Sequence, residues 1–215
     1  MKEFSKWTIG EVEEYFQVIP LETNEWLAAW LAAEHDVTQE EERLLLQLCH
    51  SLREHVHDWN EEELKIYFIG RLFTLVDYLH KEYQAFFERR LSVKIDNERL
   101  SGIVDCIIAA GRRSPKRPYF CLHEYKPQRH KTLDPWGQVL VAMVAAQKLN
   151  QDNKPVYGAY VMGRNWYFVV LHGATHVVSL AYDATKEDDL RQIFRMLKYI
   201  KHLIEREIAH GSKNS

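Results

Sequence analysis

Two acidic residues stand where apolar ones would be expected. Asp105 interrupts Gly102-Ile-Val-Asp-Cys-Ile-Ile108, and Glu124 interrupts Tyr119-Phe-Cys-Leu-His-Glu-Tyr-Lys126. A carboxylate inside a central strand is costly unless a partner compensates it. Side chains alternate with period two along a strand, so Glu124 and Lys126 share a face while Cys121 and Tyr125 take the other. If the two segments pair as a hairpin, Asp105 can lie beside Glu124. Adjacent carboxylates repel, and a hard divalent cation reconciles them, with Mg2+ the usual choice and Mn2+ its substitute. The Tyr125 backbone carbonyl would face the same edge. The simpler alternative is a Glu124–Lys126 pair on an exposed strand and a partly exposed Asp105.

Other chemistries find less support. The chain has no G-x-x-x-x-G-K-[ST], no G-x-S-x-G and no C-x-x-C, which disfavours a phosphate loop, a serine-hydrolase elbow and a zinc ribbon. His55 and His57 are two apart and would diverge on a helix, so they make a poor metal pair. His123 is expected to pack on the strand face opposite Glu124. Cys106 and Cys121 are expected to share that rear face. Trp136 and Trp166 could stack on unpaired bases, but core or interface roles suit them better.

The elements that must position Asp105 and Glu124 follow from periodicity and caps. Thr8 with Glu11 and Thr38 with Glu41 fit capping boxes of helices in the first sixty residues, where Trp26, Leu27, Trp30 and Leu31 recur at helical spacing. Asn60 caps a further helix whose apolar stripe is Leu64, Phe68, Leu72, Leu75 and Leu79, with Glu63 its capping partner. Strands are expected over 87–95, 100–110 and 119–126, the first two joined by the polar turn Asp96-Asn97-Glu98. Asp134 and Pro135 start a helix that runs to about Asn150. Strands over 156–162, 166–171 and 175–180 follow, and an amphipathic helix over 186–208 closes the chain. This order predicts an α/β fold, a mixed central sheet flanked by helices, with a helical N-terminal region (1–58) before the main domain (59–215).

Composition and charge bound the partners. Among 215 residues, nine Gly, six Pro and three Cys exclude collagen-like, low-complexity and disulfide-scaffold classes. The longest apolar run, eight residues from Val139 to Ala146, is too short to span a bilayer. No basic stretch followed by an apolar segment opens the sequence, so a cytoplasmic location with reduced thiols at Cys49, Cys106 and Cys121 is expected. Net charge is −3, unevenly spread: residues 1–60 carry four Lys/Arg against thirteen acids, whereas 112–131 carries seven against one. That basic segment holds Arg112, Arg113, Lys116, Arg117, Lys126, Arg129 and Lys131. It is either a solubilising loop or a phosphate-attracting patch.

The spacing of these residues resembles a known family. Asp105, eighteen intervening residues, then Glu124-x-Lys126 at the end of an apolar strand, between two helices, resembles the PD-(D/E)XK nuclease superfamily, over roughly Trp59 to Ile208. Gln138 matches a Gln that several branches carry in the helix after the third strand. Gly163 to Leu171 resembles the closing hairpin of a compact bacterial branch. Val104 departs from the family's proline before the Asp. The resemblance implies a restriction-endonuclease-like core in which Asp105, Glu124 and the Tyr125 carbonyl bind Mg2+, Lys126 orients the attacking water or neutralises developing charge, and Gln138 belongs to the site. Some members add a first-helix Glu, for which Glu61 and Glu62 are the candidates; dipole compensation at a helix start is their alternative. The function implied is a Mg2+-dependent endo- or exonuclease acting on DNA, with RNA second, contacted through Arg112, Arg113, Lys116, Arg117, Arg129 and Lys131. The alternative is a catalytically silent nuclease-fold module that binds protein or nucleic acid, with a protein partner or a homodimer docked through the acidic N-terminal helices.

Overall fold

Local signals set the helix starts. A computed structural model describes residues 2–95, 98–126 and 134–211, without the side chains of Glu98 and of residues 121–126. After a 3-10 turn (Phe4–Lys6), α1 (Ile9–Phe16) opens on the Thr8/Glu11 capping box. A two-residue strand, β1 (Ile19–Pro20), precedes α2 (Glu25–Leu31), and α3 (Gln39–His55) opens on the Thr38/Glu41 box. In each box a side-chain oxygen and a carboxylate satisfy amides that the first helical turn leaves free. The next box, Asn60/Glu63, starts a helical segment of three parts: α4 (Glu61–Leu64), a π-helical turn (Lys65–Ile69) and α5 (Gly70–Val76).

The remaining chain alternates strands and helices. In order these are β2 (Tyr83–Ile95), β3 (Glu98–Ala110), β4 (Arg117–Lys126), α6 (Pro135–Asn150), β5 (Val156–Met162), β6 (Asn165–His172), β7 (Thr175–Val178), β8 (Tyr182–Asp183) and α7 (Glu187–Gly211). The sheet order is β1-β7-β6-β5-β4-β3-β2, with β8 paired to β6. β2, β3 and β4 form an antiparallel meander, and α6 then carries the chain over to β5, parallel to β4. The fold is thus α/β, a mixed open sheet with helices on both faces. Among the described residues no helix is long and apolar enough to cross a membrane.

Each face has its own core. On one side α2, α3, α5 and α7 bury Trp30, Leu48, Leu72, Phe168 and Leu197 together; on the other α6 meets Val12, Phe86, Val104 and Val169. Val139 to Ala146 is buried along its whole length, so α6 needs cover on its outer side as well as from the sheet. The N-terminal residues supply it. The Ile9 amide donates to Asp134 Oδ2 at 2.6 Å, and a Cβ on Gly137 would lie 2.5 Å from the Thr8 carbonyl carbon. Only glycine permits that approach. β1 pairs with β7. Residues 1–58 therefore contribute to both cores and to the sheet itself.

Several expected boundaries move. The helix expected to carry Leu79 ends at Val76, because Asp77 takes a left-handed φ of 60°, and Leu79 is 77% exposed. The π turn rotates the stripe, leaving Ile66 exposed. β2 begins four residues before 87, β4 begins at Arg117 inside the expected loop, and the strand expected over 175–180 stops at Val178. β1 and β8, two residues each, carry no periodic signal. Cys106 is paired with Leu122, and Cys121 with Ile107, so the two cysteines hold register positions of opposite parity and not the shared rear face expected of them. The turn residues Asp96 and Asn97 lie outside the described residues. Trp166 is fully buried, as its core role requires.

One buried group makes stability pH-dependent. His176 on β7 is fully buried, its Nε2 2.9 Å from Glu13 Oε1 of α1. Burial pushes its pKa below the ordinary 6.5, outweighing the attraction of Glu13. A depressed folded-state pKa contributes stability that is present above 6.5 and lost as pH falls below it. Stability is expected to fall on acidification from pH 7 to 5, by at most about 1.4 kcal/mol per pH unit from this one group. His176→Gln should show a shallower fall across that window in circular-dichroism melts.

Candidate functional site

Asp105 lies where the meander comes apart. The β3–β4 ladder runs from Ala110↔Arg117 to Cys106↔Leu122 and stops there, one residue short of Asp105. On the other side of β3, Phe87 pairs with Cys106 and Arg89 with Val104. Glu88 and Asp105 thus stand opposite each other between two ladder pairs, and Glu88 takes a left-handed φ of 51°. Such a backbone is uncommon for a residue with a Cβ, and it coincides with a break in the ladder that leaves the register on either side unchanged. The alternation slips here: Phe86 and Leu91, five apart, face the same core, as do Val104 and Ile107, three apart. β4 has a register shift between His123 and Tyr125 against β5, which puts Glu124 at a second irregularity.

The acids converge on a lysine that sequence reasoning had not singled out. Lys65, first residue of the π turn, places its Nζ 2.9 Å from Glu88 Oε1, 3.0 Å from Glu61 Oε1, 3.4 Å from Glu62 Oε1 and 3.7 Å from Asp105 Oδ1. The Lys65 and Asp105 side chains are each only 16% exposed. Burial pulls the Lys65 pKa down, but hydrogen bonds to Glu88 and Glu61 and the charge of Asp105 outweigh it, and the group stays raised and fully protonated. Among the described residues four carboxylates surround this ammonium in a partly desolvated place, where electrostatic interactions are strengthened. The legible clue was the spacing, since Glu61 and Glu62 precede Lys65 by four and three residues on one helix. Glu88, a charge inside a strand beside Phe86, was the other.

The remaining expected site residues distribute as follows. Glu63 caps with Asn60 as anticipated, and Glu62 is the most exposed acid of the cluster. Gln138 lies in the first turn of α6, on the opposite face of the sheet from α4, 4% exposed and with its Nε2 unpartnered. The side chains of Glu124, Tyr125 and Lys126 lie outside the described ones; their backbone continues β4 beside β5. Among the described residues the basic segment is divided between the two ends of β4. Arg112, Arg113 and Lys116 are exposed in the β3–β4 turn, while Lys126 ends β4, roughly 30 Å away at about 3.3 Å per residue. Arg117 is held by Asp152 and Glu207. Arg129 and Lys131 lie outside the described residues.

The carboxylate oxygens of this cluster are hard donors of the kind Mg2+ takes, and the cluster already holds a cation, the Lys65 ammonium. Among the described residues no three His, Cys, Asp or Glu side chains are grouped closely enough to hold a metal by themselves. Compared with known proteins, the chain matches no family model, and no curated protein matches it significantly. Fold and site define an α/β protein with an acidic, lysine-centred cluster where two strands diverge.

Proposed function

We propose that the chain is a metal-dependent nuclease that hydrolyses phosphodiester bonds in DNA. One observation carries this reading: Glu61, Glu62, Glu88 and Asp105 converge on one cation where β3 leaves β4. The order of helix, three antiparallel strands, helix and parallel strand supports the likeness to the PD-(D/E)XK core. Asp105, Glu124, Glu61 and the Tyr125 carbonyl would hold Mg2+ or Mn2+. When bound, the metal polarises the scissile phosphodiester and helps deprotonate an attacking water. Lys126 orients that water or offsets charge developing on the phosphoryl oxygens. Glu62 completes the set, and Gln138, on the other face of the sheet from α4, stands apart from it. Lys65, kept protonated by its neighbours, adds a second fixed positive charge. Incubation with plasmid, single-stranded and branched DNA and with RNA tests this: cleavage that requires Mg2+ or Mn2+ is expected, and none on any substrate overturns it.

The alternative is a silent nuclease-fold module, and the Lys65 ammonium at the point of convergence favours it. Calorimetry separates the two. A nuclease should bind Mg2+ as the unaltered chain, and Glu88→Gln should weaken that binding about tenfold, the size of effect seen when a group supporting a metal site is lost. A silent module should bind Mg2+ only as Lys65→Met, with the acids released.

A further inference from the structure

Past Glu88 and Asp105, β2 and β3 run on as a ribbon that β4 no longer accompanies, with Glu3 bridging Ser101 at the β3 edge. One face is closed: Leu91, Leu100 and Val104 are buried in the α6-side core, and Phe4 presses so closely that a Cβ on Gly102 would meet its ring at 2.3 Å. The other face carries Arg90, Ser92 and Lys94 from β2 opposite Ile103, Ser101 and Arg99 from β3. Arg99 Nε donates to Ser92 Oγ at 2.8 Å, and Arg90 Nη1 to Ser101 Oγ at 3.4 Å. Arg90 faces Glu3 at 3.7 Å, with both side chains half exposed or more. Lys94 and Arg99 have no carboxylate within 4 Å among the described residues.

The pairing of Lys94 with Arg99 is the informative feature. Like charges directly opposite each other in a ladder destabilise it. Protection of an edge strand calls for charge on the edge, not for a matching charge on the strand behind it. Among the described residues no carboxylate compensates the pair, and a local rule broken without compensation is expected at functional or strained sites. Cations interleaved with hydroxyls on an extended face are the donors that phosphate oxygens accept. A β-ribbon also has the right width for the major groove of a duplex.

We infer that this outward ribbon face binds the phosphodiester backbone of a nucleic acid and leads it to the Lys65–Asp105 cluster. The second half rests on the nuclease reading; the first does not. Lys94 and Arg99 stand six residues out from Glu88 and Asp105, about 20 Å at 3.3 Å per residue. That distance covers about six base pairs at 3.4 Å each.

The test is fluorescence anisotropy with labelled duplex DNA and duplex RNA, in EDTA, across a salt series. The triple variant Arg90→Ala/Lys94→Ala/Arg99→Ala changes only exposed side chains, and its thermal midpoint checks that it folds. Each lost phosphate contact should lower the slope of log K against log salt by about one, so the triple variant should lose about three, and at least about tenfold in affinity at moderate salt. The DNA and RNA arms report which backbone is preferred. Wild-type affinity and slope in the triple variant, or no binding of either duplex by the unaltered chain, overturns the ribbon inference. Binding through the ribbon without any metal-dependent cleavage overturns the nuclease reading alone.

Discussion

Asp105→Asn is expected to lower Mg2+- or Mn2+-dependent cleavage of plasmid DNA at least about a hundredfold while the thermal midpoint stays within a few degrees. The substitution keeps side-chain shape and removes one negative charge where a cation must be held. Metal polarisation of a phosphoryl group supplies several kcal/mol, and each 1.4 kcal/mol lost is about tenfold in rate. Folding should tolerate the change because Lys65 keeps its closer partners, Glu88 at 2.9 Å and Glu61 at 3.0 Å. Lys126→Ala should lose activity similarly. Undiminished cleavage by Asp105→Asn in a quantitative plasmid-nicking assay would remove this cluster from the chemistry.

Trp30→Ala should produce the largest loss of stability, about 3–5 kcal/mol, the usual range for deleting a buried tryptophan. The ring is fully buried. It packs edge-on against Tyr157 and Phe168 at 5.0 Å and Phe120 at 6.1 Å, and its Nε1 donates to the Met196 carbonyl at 2.8 Å. Truncation empties that space and removes the indole's hydrogen bond to the Met196 carbonyl. In a chain of this length the thermal midpoint should fall by about 10 °C. Because Trp30 belongs to α2, the same experiment asks whether residues 1–58 are part of the folding unit. A midpoint unchanged within a degree or two would mean that they are an appendage.

What could be read from the chain were features that depend on near neighbours. The Thr8, Thr38 and Asn60 capping boxes formed as read, since a capping box spans only four residues. β5 and α6 matched their expected limits, because Pro and Asp punctuate the helix start and a continuous apolar run fills the strand. The oddity of Asp105 was equally legible, as a charge among branched apolar residues needs no partner to be noticed. The site around it was not. Lys65 and Glu88 are 23 residues apart, and Lys65 and Asp105 are 40 apart, joined only because the π turn folds against the break in the β2–β3 ladder. The basic segment looked continuous in sequence, yet β4 divides it into two ends.

Caps, periodicity and the order of elements were thus determined by the amino-acid sequence, through interactions within one or two turns of chain. Tertiary structure alone decided that β3 parts from β4 beside Asp105, that four carboxylates share one ammonium, and that the N-terminal segment covers α6. Those outcomes depend on register and on which faces must be buried together. Both are set by packing summed over distant segments, which no local pattern encodes.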